Sequence, residues 1–344
     1  MTRSGWVWAL RAAGSVALAV GLLVFALPRV TGTRWSEIGD VLHRLSAGQL
    51  VLLTLVWFAG PLLYTFMLTG SIPGLTHPQA LTVNVAGSAV SNLLPFGGAV
   101  GLAVSLGMVR SWGFTSGAFA LSAVVTGIWN VLGKLLLPLL GLLGLLAAGD
   151  VATGRLAGAA AVAAGLLAVA LALLAGALWR ERIAVAVGRG AQAVGQGVLR
   201  LVRSRRRLSW DAAVPRLRHQ VIGLVRAGWL RISVGLIGFL GAQALLLYLI
   251  LQMLGTTLGL AQVFAGFAFG RVLTTLVVTP GGVGIAETGA AGLLTALGGD
   301  PAVCASAVLL FSGFVFLLEF PAGAIGYLVW ALRRSWRRRP VDLH

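Results

Sequence analysis

The sequence predicts an all-α polytopic membrane protein made of two inverted-topology repeats, each holding a re-entrant helical hairpin broken by proline and glycine. Three observations predict it. Hydrophobic residues make up 58% of the 344-residue chain and charged residues only 10%, and the mean hydropathy is +0.95, outside the range of a water-soluble globule of this length. Apolar runs of roughly 18 residues or more, enough to cross about 30 Å of hydrocarbon at about 1.5 Å per residue, recur along most of the chain. A glycine-rich interruption also occurs twice, as "GAVGLAV" at Gly98–Val104 and "GGVGIAE" at Gly281–Glu287, with four of seven positions identical. Helices follow because a lipid-facing backbone must satisfy its own hydrogen bonds, and the chain lacks the alternation of barrel strands.

The elements come in order. A first span covers about Val7 to Leu27; it has no small-x-small cleavage site before Pro28, so it reads as a retained helix rather than a signal peptide. Trp35, Ile38, Leu42 and Leu45 then share one helical face, predicting a short interfacial helix. A second span runs from about Leu50 to Leu68. Two short apolar halves follow, separated by Pro95, Gly97 and Gly98, and neither is comfortably a full crossing. From Phe114 to Ala147 comes a long tilted or broken crossing containing Lys134 and Pro138, then a smooth Ala/Gly/Leu helix from about Leu156 to Trp179.

The segment 180–228 is basic, with Ile183, Val187, Val194, Val198 and Leu201 at helical spacing. It predicts an amphipathic helix on the inner membrane surface, or one packed on the protein. Further spans run from Trp229 to Leu254, from Leu260 into a second interruption at Pro280, Gly281, Gly282 and Gly284, and from Pro301 to Leu332.

Twelve of the 26 basic residues fall between Arg180 and Arg231, and five more in the tail "RRSWRRRP". Juxtamembrane clusters of this kind mark cytoplasmic faces and contact with anionic lipid headgroups, so the net charge of +17 does not point to nucleic acid. With both termini and 180–228 inside, each interrupted segment returns to the side it entered. The first hairpin then lies on the cytoplasmic side and the second on the outer side. Gly87 and Gly270 stand 183 residues apart, and after a three-residue insertion Gly113 pairs with Gly299 and Gly127 with Gly313. That is an internal repeat, with residues 1–149 as one unit and 150–344, including 180–228, as the other. Inverted repeats with discontinuous helices are the architecture of secondary transporters.

Ionised groups at mid-bilayer cost about 2.5 to 3.5 kcal/mol each and need a reason. Lys134, Arg271, Glu287 and Glu319 are the candidates. Arg271 and Glu287 lie on opposite limbs of one hairpin; Lys134 and Glu319 fall within one residue of equivalence in the two closing helices. They form either two structural ion pairs or a polar cavity for a lipid headgroup or a coupling proton, and Glu287 has a third role open to it, stabilising a helix dipole. The helix starts after the breaks carry unpaired N–H groups that attract anions. A plain Pro-Gly kink for close packing is the rival account of each break. Candidate substrate-contacting residues are therefore Arg271, Pro280, Gly281, Gly282, Gly284, Glu287, Lys134, Glu319, Pro95, Gly97, Gly98, Gly101 and Asn92. Asn84, Ser88 and Ser91 join Asn92 on one limb, gluing helices or wetting the path. The single cysteine and four scattered histidines indicate no metal site, and no cofactor is expected.

The paired interruptions, with "TPGGVGIAE" in the second, resemble the flippase-like family typified by the membrane region of lysylphosphatidylglycerol synthase. The resemblance spans most of the chain, and its matching positions are Pro280, Gly281, Gly282, Gly284 and Glu287. Some members of that family carry an arginine and an acid in the first closing helix, where this chain reads "VVTGIWNVLGK" at 124–134. The resemblance implies movement of lipids between leaflets of the cell membrane, with a phospholipid or polyprenyl-linked lipid as substrate. No catalytic nucleophile, metal cluster or nucleotide loop is visible, so the expectation is a non-enzyme; the alternative is a non-transporting scaffold for a separately encoded lipid-modifying enzyme.

Overall fold

Backbone groups in hydrocarbon must find partners within their own segment, and the described chain does this with helices throughout. The computed structural model describes residues 21–93, 97–149, 162, 165–173, 176, 214–274, 283–333 and 336. Among these no strand occurs. A π-helical turn, Leu22–Ala26, leads into α1 (Leu27–Thr31) and α2 (Trp35–Leu42). Then follow α3 (Ala47–Ser71), α4 (His77–Leu93), α5 (Gly97–Ser111) and α6 (Ser116–Ala148). After residues outside the described set come α7 (Val214–Met253), α8 (Leu260–Leu273), α9 (Ile285–Ala296), α10 (Pro301–Ser312), a π-helical turn (Gly313–Leu317) and α11 (Glu319–Leu332).

Among the described residues, four stretches are long and apolar enough to cross a membrane: Ala47–Ser71, Ser116–Ala148, His219–Met253 and Pro301–Leu332. The expected all-helical membrane protein is therefore what the chain forms. One boundary differs from the sequence reading. The span expected from Trp229 begins earlier, because α7 is one 40-residue helix from Val214, and Gly228 on it already packs against the Gly70 carbonyl. The crossing expected to be either tilted or broken, containing Lys134 and Pro138, is one uninterrupted 33-residue helix, which leaves out the break. The first-span residues before Gly21, and 180–213 of the basic segment, lie outside the described residues.

The helix starts explain themselves locally. Ser46 N–H donates to Gln49 Oε1 at 2.8 Å, and Gln49 N–H returns a bond to Ser46 Oγ, a reciprocal cap. Thr76 N–H donates to Gln79 Oε1 at 3.1 Å, and Gly259 N–H donates to Gln262 Oε1 at 2.7 Å. Both members of that second pair stand 183 residues from the first. The long closing helices begin alike: Thr115 Oγ1 caps the Ala118 N–H and Asp300 Oδ1 caps the Val303 N–H. Each follows a left-handed glycine, Gly113 at φ +91° and Gly298 at φ +100°.

Two runs thus share one order of long, short, short and long helices: α3 to α6, and α7 to the α10–α11 pair. The runs pack against each other antiparallel. Along the α3–α7 contact, Gly70 faces Ile232 while Gly60 faces Phe239 and Ala242. Gly235 lies so close to Met67 that a Cβ there would overlap its backbone. Small residues let these helices touch where lipid supplies no hydrophobic drive. Each closing helix meets the first short helix of the other run. Gly141 on α6 meets Ala265 and Ala268 of α8, and Gly326 on α11 meets Thr82 and Val85 of α4. Leu246, Ile250 and Leu251 of α7 form the apolar core with Leu294, Ala305 and Val308.

Candidate functional site

The second interruption opens into α9 through Gly284, whose φ of +90° is open to glycine and strained for other residues. Its N–H donates to Glu287 Oε2 at 2.5 Å, and Ser312 Oγ donates to Glu287 Oε1 at 2.7 Å. Glu287 is only 3% exposed. The carboxylate at the first turn of α9 thus occupies the orphan-donor position that a helix start presents, with a hydroxyl from α10 holding its other oxygen. Across from it, Arg271 in the last turn of α8 lines the same cavity of about 40 Å³ as Glu287, Ser312 and Thr274. Apolar Phe267, Phe311 and Val315 form much of the remaining wall.

A second set of charges meets at Arg271. The α6–α8 packing through Gly141 is antiparallel, and continuing it two turns along brings Lys134 opposite Arg271; the two cations interact electrostatically. Glu319 supplies the opposing charge and interacts with Arg271. It stands at the start of α11, immediately beyond the π-helical turn Gly313–Leu317, a local widening common at functional positions. One helical turn on, Gly323 lets α11 close onto Ala89 of α4. That approach delivers Glu319 to Asn92, whose Nδ2 donates to Glu319 Oε2 at 2.5 Å. Arg271 Nε is buried with no hydrogen-bond partner among the described residues.

The predicted residues sort as follows. Arg271, Lys134, Glu319 and Asn92 converge; Glu287 shares a cavity with Arg271 and is held by Gly284 and Ser312. Gly97 and Gly101 serve the close approach of α5 to α4: a Cβ at Gly97 would overlap the Ser91 carbonyl, and one at Gly101 the Ser91 hydroxyl. Gly98 faces open space. Pro95, Pro280, Gly281 and Gly282 lie outside the described residues. Sequence reasoning missed Ser312. Its signal was present: it precedes Gly313, the partner of Gly127 in the repeat, as Thr126 precedes Gly127.

No curated protein matches the chain. The family described as the lysylphosphatidylglycerol synthase TM region matches residues 12–323. The matched stretch takes in every charged residue of the site, from Lys134 on α6 to Glu319 on α11, and the chain belongs to that family, as a helical membrane protein of a lipid-related kind.

Proposed function

We propose that the chain is a lipid flippase, or a transporter of a lipid-linked substrate, that passes a polar headgroup across the cell membrane between two re-entrant hairpins while the tails stay in the bilayer. The carrying observation is the convergence of Arg271, Lys134, Glu319 and Asn92 from four different helices of the two runs. Two cations and one carboxylate interact there, Glu287 lines the same cavity as Arg271, and the Arg271 Nε has no hydrogen-bond partner among the described residues. With Glu287 counted the set balances at two cations and two carboxylates, which suits a zwitterionic or phosphate-bearing headgroup, and the Arg271 Nε offers a donor to the phosphate of a phospholipid or polyprenyl-linked lipid.

The framework fits that task. The short limbs α4, α5, α8 and α9 have 17, 15, 14 and 12 residues. At about 1.5 Å per residue they reach roughly 18 to 26 Å, short of about 30 Å of hydrocarbon. They suit hairpins that enter and return. The antiparallel meeting of α3 with α7, and of each closing helix with the opposite short helix, supports inverted repeats related by an axis in the membrane plane. In this reading both termini are cytoplasmic, the basic segments bind anionic lipid headgroups, and the chain itself is not an enzyme.

The test is reconstitution in vesicles with labelled lipids, comparing the wild type with Arg271→Gln and Glu287→Gln. Scrambling by the wild type and its loss in Arg271→Gln are expected. Undiminished scrambling in both variants removes the site assignment, and no scrambling of any lipid class by the wild type favours a non-transporting partner of a separate enzyme.

A further inference from the structure

The first run contains a counterpart of the Arg271 cavity with different chemistry. It is about 190 Å³ in volume and lies among α3, α4, α5 and α6. Its polar lining includes Asn84, Ser88, Ser91, Ser105, Ser122 and Thr126. Ser88 and Ser91 precede Arg271 and Thr274 by 183 residues, and Thr126 precedes Ser312 by 186, so the two cavities occupy equivalent places in the two runs. Where one holds an arginine and a glutamate, the other, among its described lining residues, holds no charge.

Several of its polar groups are occupied. Ser91 Oγ donates to the Gly87 carbonyl at 2.8 Å, Thr126 Oγ1 donates to the Ser122 carbonyl at 2.8 Å, and Ser122 Oγ pairs with Ser71 Oγ at 2.6 Å. The side chains of Asn84, Ser88 and Ser105 make no hydrogen bond among the described residues, and they face the cavity. An amide and two hydroxyls offer donors and acceptors in near balance. A phosphate would find no cation here and an ammonium no carboxylate. A partner that both donates and accepts while remaining neutral matches the lining, and that is the chemistry of adjacent hydroxyl groups. An engineered cavity of about 150 Å³ admits a six-membered ring, so this one has room for a sugar-sized ring.

We infer that this cavity is a subsite for a neutral polyhydroxyl ring on the headgroup of the carried lipid. The inference deepens the transport reading and rests on it: Ser88 and Ser91 lie on α4 within about a turn of Asn92, so a ring here and an anionic group at Arg271 belong to one headgroup.

The test places the full-length protein in phosphatidylcholine nanodiscs doped with one of four lipids of matched tails: phosphatidylinositol (ring and phosphate), glucosyldiacylglycerol (ring only), phosphatidic acid (phosphate only) and diacylglycerol (neither). Thermal midpoints against mole fraction give apparent affinities. Glucosyldiacylglycerol should bind more tightly than diacylglycerol, and phosphatidylinositol most tightly. In the Ser88→Ala/Ser105→Ala variant the advantage of the ring should fall about tenfold, the scale of one or two neutral hydrogen bonds, while the advantage of the phosphate stays. Asn84→Ala, tested separately, should do the same if the double variant folds poorly. Equal binding of glucosyldiacylglycerol and diacylglycerol by the wild type overturns the inference, as does a ring preference unchanged in both variants. A ring preference in the wild type that the variants lose, with no lipid scrambled in vesicles, sinks the transport reading and leaves the cavity's ligand standing.

Discussion

Asn92 and Glu319 are 227 residues apart in sequence, and the Asn92 side chain donates to the Glu319 carboxylate at 2.5 Å. The contact joins the end of α4 to the start of α11 and so ties a short limb of one run to the closing helix of the other. Asn92→Ala should leave the carboxylate oxygen without its donor and lower stability by about 1 to 3 kcal/mol. Asn92→Asp should be worse, because it sets a like charge beside Glu319. Thermal unfolding in one detergent, with the two variants beside the wild type, checks both the size and the order.

Gly323 decides whether that pair can form. A Cβ at Gly323 would overlap Ala89 Cβ and come within 2.9 Å of the Val85 carbonyl. Gly323→Val should therefore push α11 away from α4 and destabilise by about 1 to 3 kcal/mol. Gly323→Ala combined with Ala89→Gly should recover part of the loss suffered by Gly323→Ala alone, since the second change removes the methyl that is struck. A double-mutant cycle of melting temperatures reads this coupling.

Ser312 holds one Glu287 oxygen and Gly284 the other. Ser312→Ala should cost about 1.5 to 3 kcal/mol, the range for losing a hydrogen bond to a charged group. Glu287→Leu should cost more than Glu287→Gln, because glutamine keeps an acceptor for the Gly284 N–H and leucine does not. Chemical or thermal denaturation of the three variants provides the ranking.

Lys134 faces Arg271, so its removal separates stability from transport. Lys134→Met relieves the repulsion between two cations and should hold or raise the melting temperature. In vesicles the same variant should slow scrambling of phosphate-bearing lipids by about tenfold, as expected when one of two charge-assisted contacts is lost. A variant that is destabilised yet scrambles normally would contradict the pairing.

The proposed inverted arrangement makes a topological prediction. Pro73 and Thr257 are exposed residues in the turns that open the two short-helix hairpins. With Cys304→Ser as background, Pro73→Cys should react with a membrane-impermeant maleimide only from the cytoplasmic side and Thr257→Cys only from outside. Labelling of both from one side would end the inverted-repeat proposal.

Much of this was legible in the sequence, and particular residues show where legibility stopped. The long apolar runs became α3, α6 and α7, because hydropathy over a window reports a property local to the chain. Pro138 leaves a tilted or a broken crossing open in the sequence, and α6 passes through it unbroken. The start of α7 was misplaced because a charged stretch can continue a helix beyond the membrane, and charge sets where a helix meets water rather than where it begins. Lys134 and Glu319 were matched by their spacing, yet their partners were not. Asn92 is a candidate for gluing helices or wetting a path, but the sequence does not name Glu319 as its partner, and Ser312 is not a candidate there.

The sequence by itself determined that this chain is helical, lives in a membrane, and carries its rare charges on the limbs of the second interruption and in the two closing helices. Those properties follow from hydropathy, glycine freedom and spacing, each read within a few turns of chain. Only the tertiary structure decided which charge meets which. Antiparallel packing through Gly141 and Gly323 sets the depth at which Lys134, Arg271, Glu319 and Asn92 face one another. A helix's own pattern carries no information about the register of a distant neighbour, and that register is what assembles the site.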